Sequence, residues 1–226
     1  GQAVQVSEIL KKINNLKNKF KKSEALDELY MIFYKNNYLS DIKNKFEKYR
    51  PLVDELAESQ SKVIDISFNG DEIKVDTNKY SNFINASIHI FRNMVDHGIE
   101  TEDERIEKTK PQRGNIRLDF KNNDGYTFTI SMTDDGRGMD PEGIKNKVLE
   151  KGLKSEEEIQ HLKDSNLIEM IFLPGFSTKE EVTNVSGRGV GMDAMREEVE
   201  KLGGSISVSS KIDEGTTFII KLPILN

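Results

Sequence analysis

A glycine-rich segment that runs directly into a helical pattern constrains this chain more than any other feature. Residues 185–193 read V-S-G-R-G-V-G-M-D, and apolar residues recur at helical spacing from Met192 to Leu202. Glycines let backbone N–H groups approach an anion, and the first turn of a helix adds unpaired donors and the positive end of its dipole. The segment therefore predicts a phosphate cradle, although alternating glycines also form plain turns.

A second acidic and glycine-rich string follows a predicted strand. Residues Tyr126–Met132 alternate between apolar and polar, and the run Asp134–Met139 (D-D-G-R-G-M) comes directly after them. A carboxylate at a strand end can accept a hydrogen bond from an adenine amino group, while the glycines leave room for a flat base. A calcium loop is the alternative, but EF-hand spacing would place Lys145 where a bidentate glutamate is required. The string therefore predicts a purine site.

A polar stripe lies on the helix that is predicted from Lys79 to His97. The apolar positions of this helix recur at helical spacing, so the remaining side chains gather on the opposite side. These are His89, Arg92, Asn93, Asp96 and His97. Asparagine is mildly unfavourable inside a helix, which indicates a ligand, and its amide oxygen suits Mg²⁺, which commonly bridges protein and nucleotide phosphates. A solvated helix face is the alternative interpretation.

In their order along the chain, these segments resemble the GHKL ATP-binding domain that histidine kinases, gyrase-type ATPases and Hsp90 share. The detailed resemblance is to the chemotaxis-type histidine kinase, CheA, and covers about residues 50 to 224. It is carried by H-x-x-R-N-x-x-D-H-G-I-E from His89, D-D-G-R-G-M-D from Asp134, F-L-P-G-F-S-T from Phe172, V-S-G-R-G-V-G-M-D from Val185 and E-G-T-T-F from Glu214.

The resemblance implies roles for particular residues. Asp134 would hold the adenine amino group, with Met139 lining the base pocket and Thr216 closing its polar side, and Asn93 would ligate Mg²⁺. His89 stands where related ATPases carry a glutamate, so it would either accept a proton in transfer or only hydrogen-bond to phosphate. The implied nucleotide contacts are Arg92, Asn93, Asp96, His97, Asp134, Gly136, Gly138, Met139, Ser186, Gly187, Arg188, Gly189, Val190, Gly191 and Thr216, with Lys145 and Lys147 as further candidates.

Composition narrows the function classes. A chain of 226 residues that is 35% hydrophobic and 32% charged can bury one substantial core. The absence of cysteine excludes disulfides, cysteine-ligated zinc and thiol catalysis. A net charge of −6 argues against nucleic-acid binding, and the basic run from Lys11 to Lys22 is interpreted as a helix face. Neither a signal peptide nor an apolar run of membrane-spanning length is seen, which predicts a soluble cytoplasmic domain without a membrane partner.

Two parts are predicted along the chain. Residues 1–59 form an N-terminal helical segment, with breaks near Ser23 and Asn36, and with Ser23 as an N-cap. A further helix is predicted from Leu39 towards Ser59, with Pro51 marking a kink or a new start. These helices either mediate dimerisation, giving a homodimer, or only pack on their neighbour. Residues 60–226 form the ATP-binding catalytic domain.

The predicted fold class of residues 60–226 is a two-layer α/β sandwich, the Bergerat fold of GHKL proteins. The predicted strands are Val63–Phe68, Asn115–Phe120, Tyr126–Met132, Ile206–Ser209 and Thr217–Leu222, and helices Lys79–His97, Gly143–Lys151 and Met192–Leu202 cover one face. The connection over about residues 141–188 is too long for an ordinary loop and predicts a lid over the ligand. Within it, Ser155 and Glu158 predict a capping box, and Phe172 and Phe176 are possible anchors.

The resemblance implies an ATP-dependent protein histidine kinase that uses Mg²⁺. The N-terminal helices contain no histidine, so the acceptor is expected on a histidine phosphotransfer domain, in a longer chain or on a separate protein, with a response regulator downstream. No room follows Asn226 for the SH3-like coupling domain of CheA, so a catalytic region cut from a longer kinase is expected. The alternatives are a regulatory GHKL module of the serine kinase or anti-sigma type and a pseudokinase scaffold, while His89 in place of glutamate disfavours a gyrase-like or Hsp90-like ATPase.

Overall fold

The computed structural model of the chain describes residues 2–20, 23–177 and 191–225. Its α-helices are α1 (Gln2–Lys19), α2 (Glu24–Asn37), α3 (Lys43–Phe46), α4 (Arg50–Ser59), α5 (Ser81–Ala86), α6 (Ile88–Arg92), α7 (Glu102–Glu107), α8 (Pro141–Glu150), α9 (Glu156–Ile159), α10 (Asp164–Glu169) and α11 (Met192–Lys201). Short 3-10 helices span Glu47–Tyr49, Thr77–Tyr80 and Met170–Phe172, and a π-helix spans Asn93–Gly98. The strands are β1 (Ser40–Asp41), β2 (Ile64–Gly70), β3 (Lys74–Val75), β4 (Gly114–Asn122), β5 (Thr127–Asp134), β6 (Ser205–Lys211) and β7 (Gly215–Pro223).

The strands after β3 join β2 in a mixed five-stranded sheet with the order β2-β4-β5-β7-β6. Only the β2–β4 pair is parallel, and the other three pairs are antiparallel. All five strands of this sheet match strands that the sequence pattern predicts, because each alternates between apolar and polar residues. The prediction of a two-layer α/β sandwich is confirmed.

One face of the sheet carries the core. Because successive side chains of a strand point to opposite faces, Phe128, Ile130 and Met132 of β5 lie on the buried side. On the other face, β6 exposes Ser205, Ser207 and Ser209 to solvent. The helices therefore cover only one face, as predicted.

The N-terminal region contains α1 and α2, and it differs from the prediction after Asn37. Ser23 caps α2 by accepting a hydrogen bond from the Leu26 N–H, as predicted. The helix predicted from Leu39 towards Ser59 is wrong in its first part, because β1 pairs antiparallel with β3 and the Asp41 carboxylate accepts hydrogen bonds from the Lys43 and Ile73 N–H groups. Pro51 then marks a new start, at the first turn of α4.

The hydrophobic core begins ahead of the boundary predicted at residue 59. Ile42, Phe46 and Val53 are fully buried and belong to the same core cluster as the sheet. Phe46 packs against Phe83 and Phe120 with ring centroids 5.9 and 5.6 Å apart. Residues 42–57 are therefore an integral part of the sandwich.

The helix predicted from Lys79 to His97 is present in four pieces, which are the 3-10 helix Thr77–Tyr80, α5, α6 and the π-helix. It breaks at Ser87, whose buried hydroxyl donates to the Phe83 carbonyl and so competes with the helical ladder. The π-helix that follows closes with a 2.7 Å bond from the Ile99 N–H to the Met94 carbonyl. Single π turns inside helices are rare and occur frequently at functional sites.

The described part of the predicted lid, residues 141–177, consists of short helices that pack on the core. The lid over about residues 141–188 stays a prediction, and Leu167, Ile168 and Ile171 of its described part are buried in the same cluster as the sheet. Apolar side chains at these positions remove a large hydrophobic area from water, which holds the segment down. The predicted capping box of Ser155 and Glu158 is confirmed at the start of α9.

None of the helices in the described ranges is both long and apolar enough to cross a membrane.

Candidate functional site

A cavity of about 820 Å³ opens between the helix layer and the ends of β5 and β7. A volume of this size suits a cofactor-sized ligand. The structure brings most of the predicted site residues to its wall: His89, Arg92, Asn93, Asp96, His97, Asp134, Gly138, Met139, Gly191 and Thr216. Gly136 is buried just outside the wall, and Ser186, Gly187, Arg188, Gly189 and Val190 lie outside the described residues.

Asp134 and Thr216 lie side by side at the base of the cavity because they are directly paired in the β5–β7 ladder. Each continues the alternation that buries the apolar residues of its strand, so both side chains point to the helix layer. Their exposures are only 2% and 5%. At these two positions the alternation would place apolar core side chains, but the sequence has a carboxylate and a hydroxyl. Buried polar groups at such positions indicate that they bind a ligand rather than only pack.

The Asp134 carboxylate is held by backbone donors. The Gly136 N–H donates to its Oδ1 at 2.9 Å, and a backbone hydrogen bond from Thr216 also favours the ionised form. Burial nevertheless raises the pKa of Asp134 to about 6, with the neighbouring Asp135 and Glu100 adding to the increase. Near neutral pH the group is mostly an ionised hydrogen-bond acceptor in a buried site.

Glycine is required beside this carboxylate. A Cβ at Gly136 would overlap the carbonyl group of Gly98, so the two backbones approach each other directly. Gly138 has a φ of +67°, and a Cβ there would overlap the Lys211 carbonyl oxygen. These close approaches leave no side chain between the carboxylate and a flat ligand, which fits the prediction of a purine site.

The wall of the cavity beside Asp134 has a further polar support that was not predicted from the sequence. Ser210 of β6 accepts a hydrogen bond from the Met139 N–H at 2.8 Å and donates to the Gly215 carbonyl. Its hydroxyl also lies 2.8 Å from the Thr216 hydroxyl. Ser210 therefore ties Met139 to the start of β7. The alternation of β6 does not predict this role of Ser210, because the hydrogen bond to Ser210 comes from Met139, 71 positions away.

The polar stripe forms the opposite wall. Asn93, at the first position of the π-helix, is half-buried and lines the cavity. Asp96 accepts a 2.6 Å hydrogen bond from the Gln60 amide. The buried Lys62 ammonium donates to the Val95 and Asp96 carbonyls, so these backbone acceptors at the end of the stripe have hydrogen-bond partners. Gln60 and Lys62 were not predicted, since each acts across more than thirty residues of sequence.

His89 lies one turn before Asn93 on the same wall. Burial lowers its pKa, and the positive charge of Arg92 lowers it further, against the opposing effect of Asp193. Its imidazole is therefore neutral near physiological pH. A neutral imidazole can accept a proton or a hydrogen bond from a ligand in the cavity.

Two lysines approach the cavity from different elements. Lys147 of α8 lines it and lies 4.8 Å from the centre of the Phe176 ring, while Lys151 donates to the Phe176 carbonyl at 2.6 Å. Lys48 lines it from the other side and donates to the Asn85 amide oxygen at 2.9 Å. Lys147 was predicted as a phosphate contact and Lys48 was not. Lys145 pairs with Glu142 and does not reach the wall.

No group of three or more histidine or acidic side chains able to hold a metal ion by themselves occurs in the described parts of the chain. Asn93 lines the cavity, and its amide oxygen could act as one neutral ligand. Such a donor set fits a magnesium ion that takes its remaining ligands from phosphate oxygens and water.

The affinity of the cavity for ADP is expected to fall about tenfold between pH 7.5 and pH 5. The raised pKa of Asp134, about 6, means that this carboxylate gains a proton over that range and loses acceptor strength towards the adenine amino group. Calorimetric titrations at several pH values test this, with Asp134→Asn as the control whose profile should be flatter. Equal steepness in the two proteins would assign the pH dependence to another group.

A protein-family model described as "Histidine kinase-, DNA gyrase B-, and HSP90-like ATPase" matches residues 84–226, more than half of the chain. The chain belongs to this family. The match spans the polar stripe, Asp134, Gly191 and Thr216, which line the cavity.

The chain is also similar to chemotaxis proteins. It is 36% identical to the chemotaxis protein CheA of Borreliella burgdorferi, covering 97% of this chain and 26% of that protein. It is 39% identical to the chemotaxis protein CheA of Halobacterium salinarum, covering 89% and 31%, and 40% identical to the sensor histidine kinase CheAY of Helicobacter pylori, covering 79% and 22%. The CheA-like resemblance predicted from the motifs is confirmed. The chain spans less than a third of each of these relatives.

Among solved structures, the mycobacterial sensor histidine kinase MprB is 16% identical with a TM-score of 0.49, covering 83% of this chain and 98% of that one. This similarity is too low to support the family assignment, which depends on the family match and on the sheet and cavity of this chain.

Proposed function

We propose that the chain is the ATP-binding catalytic domain of a CheA-like histidine kinase, which transfers the γ-phosphoryl group of ATP to a histidine on a phosphotransfer domain. The observation that carries the proposal is the pairing of Asp134 and Thr216 at the base of a cavity whose opposite wall carries Asn93. The cavity would therefore offer two groups to one nucleotide. The buried Asp134 carboxylate would recognise the purine, and the Asn93 amide oxygen would bind the metal ion on the phosphates.

The proposed orientation of the nucleotide follows from the chemistry of the wall. Asp134 would accept a hydrogen bond from the adenine amino group, with Met139 against the base and Thr216 beside it. The phosphates would extend towards Asn93, where Arg92, His97 and Lys147 offer positive charge or donors. Asn93 would hold Mg²⁺ together with the phosphate oxygens. Gly191, at the N-cap of α11, would present backbone to the phosphates, as proposed for the glycine-rich segment as a whole.

The proposed transfer forms a bond between the acceptor imidazole nitrogen and the γ-phosphorus as the bond from the γ-phosphorus to the β–γ bridging oxygen of ATP breaks, and that oxygen leaves with ADP. ATP supplies the transferable group, so this chain has to position it and neutralise charge. His89, neutral because its pKa is lowered, is placed to accept the proton that the acceptor imidazole loses or to hydrogen-bond to phosphate. The acceptor would lie in the same longer protein or on a separate one, and a response regulator would receive the phosphoryl group next.

The test is incubation of the purified chain with γ-labelled ATP, Mg²⁺ and a panel of purified histidine phosphotransfer domains. The expected product is labelled phosphotransfer protein whose label is lost in acid and retained in base, as for phosphohistidine. Label that survives acid and is lost in base would indicate a serine kinase instead. Nucleotide binding without label on any acceptor would favour a pseudokinase scaffold.

Self-association through the first two helices is proposed as well. Large apolar side chains are exposed in these helices or directly after them: Val4, Ile9, Leu16, Phe20, Leu29, Met31, Ile32 and Tyr38. In α2 no residue is buried. A surface of this kind is typical of an interface. Light scattering is expected to give twice the monomer mass, and a Leu29→Glu, Ile32→Glu double variant is expected to be monomeric. A monomeric wild-type chain would contradict the proposal.

The proposed location is the cytoplasm, because the reaction consumes ATP. Cell fractionation tests this location, and recovery of the protein in a salt-washed membrane fraction would contradict it.

A further inference from the structure

Four charged side chains form a neutral cluster just outside the wall of the cavity, next to Asp134. They are Glu100, Arg105, Lys110 and Asp135. Glu100 and Arg105 are each 1% exposed, and Lys110 is 13% exposed. None of the four lines the cavity, so none is placed to contact the nucleotide. Buried charges are costly unless they are paired and hydrogen-bonded, so the partners of these four side chains indicate what the cluster holds in place.

Lys110 joins the cluster to the turn that follows Asp134. Its ammonium group donates to the Gly136 carbonyl at 2.7 Å, to the Asp135 carbonyl at 3.1 Å and to the Glu100 carboxylate at 2.6 Å. All three donor positions of the ammonium group are therefore used. Two of the acceptors are the backbone carbonyls of the first two residues after Asp134.

Arg105 supports the same turn from the buried side. Its guanidinium group donates to the Asp135 carbonyl at 3.2 Å, to the Asp135 carboxylate at 3.0 Å and to the Glu100 carboxylate at 3.0 Å. A further bond of 2.7 Å to the Pro111 carbonyl ties the loop that carries Lys110. The two cations thus hold both the side chain and the backbone of the turn.

The turn after Asp134 orients the Asp134 carboxylate. The Gly136 N–H donates to the Asp134 Oδ1, and the Arg137 N–H donates to the Gly98 carbonyl at 2.9 Å. A rotation of the peptide that carries the Gly136 N–H would release Oδ1 and let the carboxylate turn away from the cavity. The Asp135 carbonyl belongs to that same peptide, and both Lys110 and Arg105 bind it.

We propose that Lys110, supported by Arg105, is a positioning residue for recognition of the purine base. By fixing the carbonyls of Asp135 and Gly136, it keeps the Asp134 carboxylate directed into the cavity. This inference rests on the proposed nucleotide site and adds to it a residue that does not touch the nucleotide. A role in stability alone is the competing explanation, and the two differ in what happens to base selectivity.

Charge gives a second readout. Glu100 and Asp135 both act to raise the pKa of Asp134, and Lys110 pairs with Glu100 at 2.6 Å. Arg137 follows in the same turn. The charged or titratable groups of the described residues that line the cavity with Asp134 are Lys48, Tyr49, His89, Arg92, Asp96, His97, Asp140 and Lys147. Removing the Lys110 charge leaves the cluster with a net negative charge, so the midpoint of pH-dependent ADP binding moves up.

The experiment compares Lys110→Met with the wild-type protein in calorimetric titrations of ADP and GDP without Mg²⁺, from pH 5 to pH 8.5. ADP affinity at pH 7 is expected to fall about tenfold, and the preference for ADP over GDP should fall by a similar factor. The pH midpoint should rise by about half a unit. Lys110→Arg is expected to restore most of the affinity, because a guanidinium group can reach the same carbonyls.

Lys108→Met is the matched control. It removes the same charge two positions away, where the lysine pairs with Asp213 at the surface and donates to no carbonyl of the turn. Equal ADP binding by the Lys110→Met and Lys108→Met proteins would overturn the proposal. So would a Lys110→Met protein that has a lowered unfolding temperature but an unchanged ADP preference and pH midpoint. Absence of ADP selectivity in the wild-type protein would count instead against the nucleotide site.

Discussion

Phosphoryl transfer by an Asn93→Ala variant is expected to be about 10²–10³-fold slower than by the wild-type chain. Asn93 offers the cavity an uncharged oxygen ligand, and no cluster of acidic or histidine side chains in the described residues could replace it. Without this ligand, Mg²⁺ is held by phosphate oxygens and water alone, and the γ-phosphoryl group loses its fixed position. Binding of ATP should also become insensitive to Mg²⁺, which calorimetry with and without the metal ion measures.

Asn85→Ala is the control for this prediction. Asn85 lies on the same wall but is exposed and hydrogen-bonded to Lys48, and it has no proposed contact with the metal ion. Its variant should keep the Mg²⁺ effect on ATP binding. Normal transfer and normal Mg²⁺ dependence in the Asn93→Ala protein would exclude Asn93 as the ligand.

An Asp134→Asn variant is expected to bind ADP about 10²-fold more weakly at pH 7.5. The substitution preserves the shape of the side chain but replaces an ionised acceptor with an amide, one end of which donates. The adenine amino group then meets a weaker acceptor or a second donor. Selectivity for ADP over GDP should be largely lost, since GDP presents different groups at this edge of the base.

Folding is not expected to limit this test. The ionised Asp134 is unfavourable in the folded protein, because burial raises its pKa to about 6. The contribution of Asp134 to the free energy of unfolding therefore falls as the pH rises through that value. The neutral amide of the Asp134→Asn variant does not undergo this loss. Asp140→Asn removes the same charge from the same cavity at a position that caps α8, and it should leave selectivity unchanged. Retained selectivity in the Asp134→Asn protein would contradict the base-site assignment.

Local patterns in the sequence were sufficient to predict the five strands of the sheet. Asp134 follows the predicted strand Tyr126–Met132 and Thr216 precedes the predicted strand Thr217–Leu222, and the structure extends both strands so that the two residues form one pair. The polar stripe was likewise found because a helix displays every third or fourth residue on one face. The motifs that carry the family resemblance lie on these same elements.

Features that depend on contacts distant in sequence were not predicted. The antiparallel β1–β3 pair joins residues over thirty positions apart. The break at Ser87 comes from a local hydrogen bond, but neither it nor the π-helix after it carries a periodic signal. Lys62 and Lys110 look like ordinary surface lysines in the sequence, yet each donates to backbone carbonyls that support the site. Only the folded chain shows which lysines are buried.

The lid over about residues 141–188 was predicted from the length of this connection. In its described part, Leu167, Ile168 and Ile171 are spaced so that one side of the segment packs on the core. Their side chains are few and separated by polar residues, which hides them from a search for long apolar runs. The glycine-rich residues 186–190 lie outside the described ranges, so their phosphate contacts stay a prediction.

Calorimetric titration of the purified chain with ATP, ADP and GTP, each with and without Mg²⁺, tests the central claim most directly. The account predicts binding of both adenine nucleotides, much weaker binding of GTP, and a gain in ATP affinity when Mg²⁺ is present. Equal binding of ATP and GTP, or no binding of any nucleotide, would contradict it.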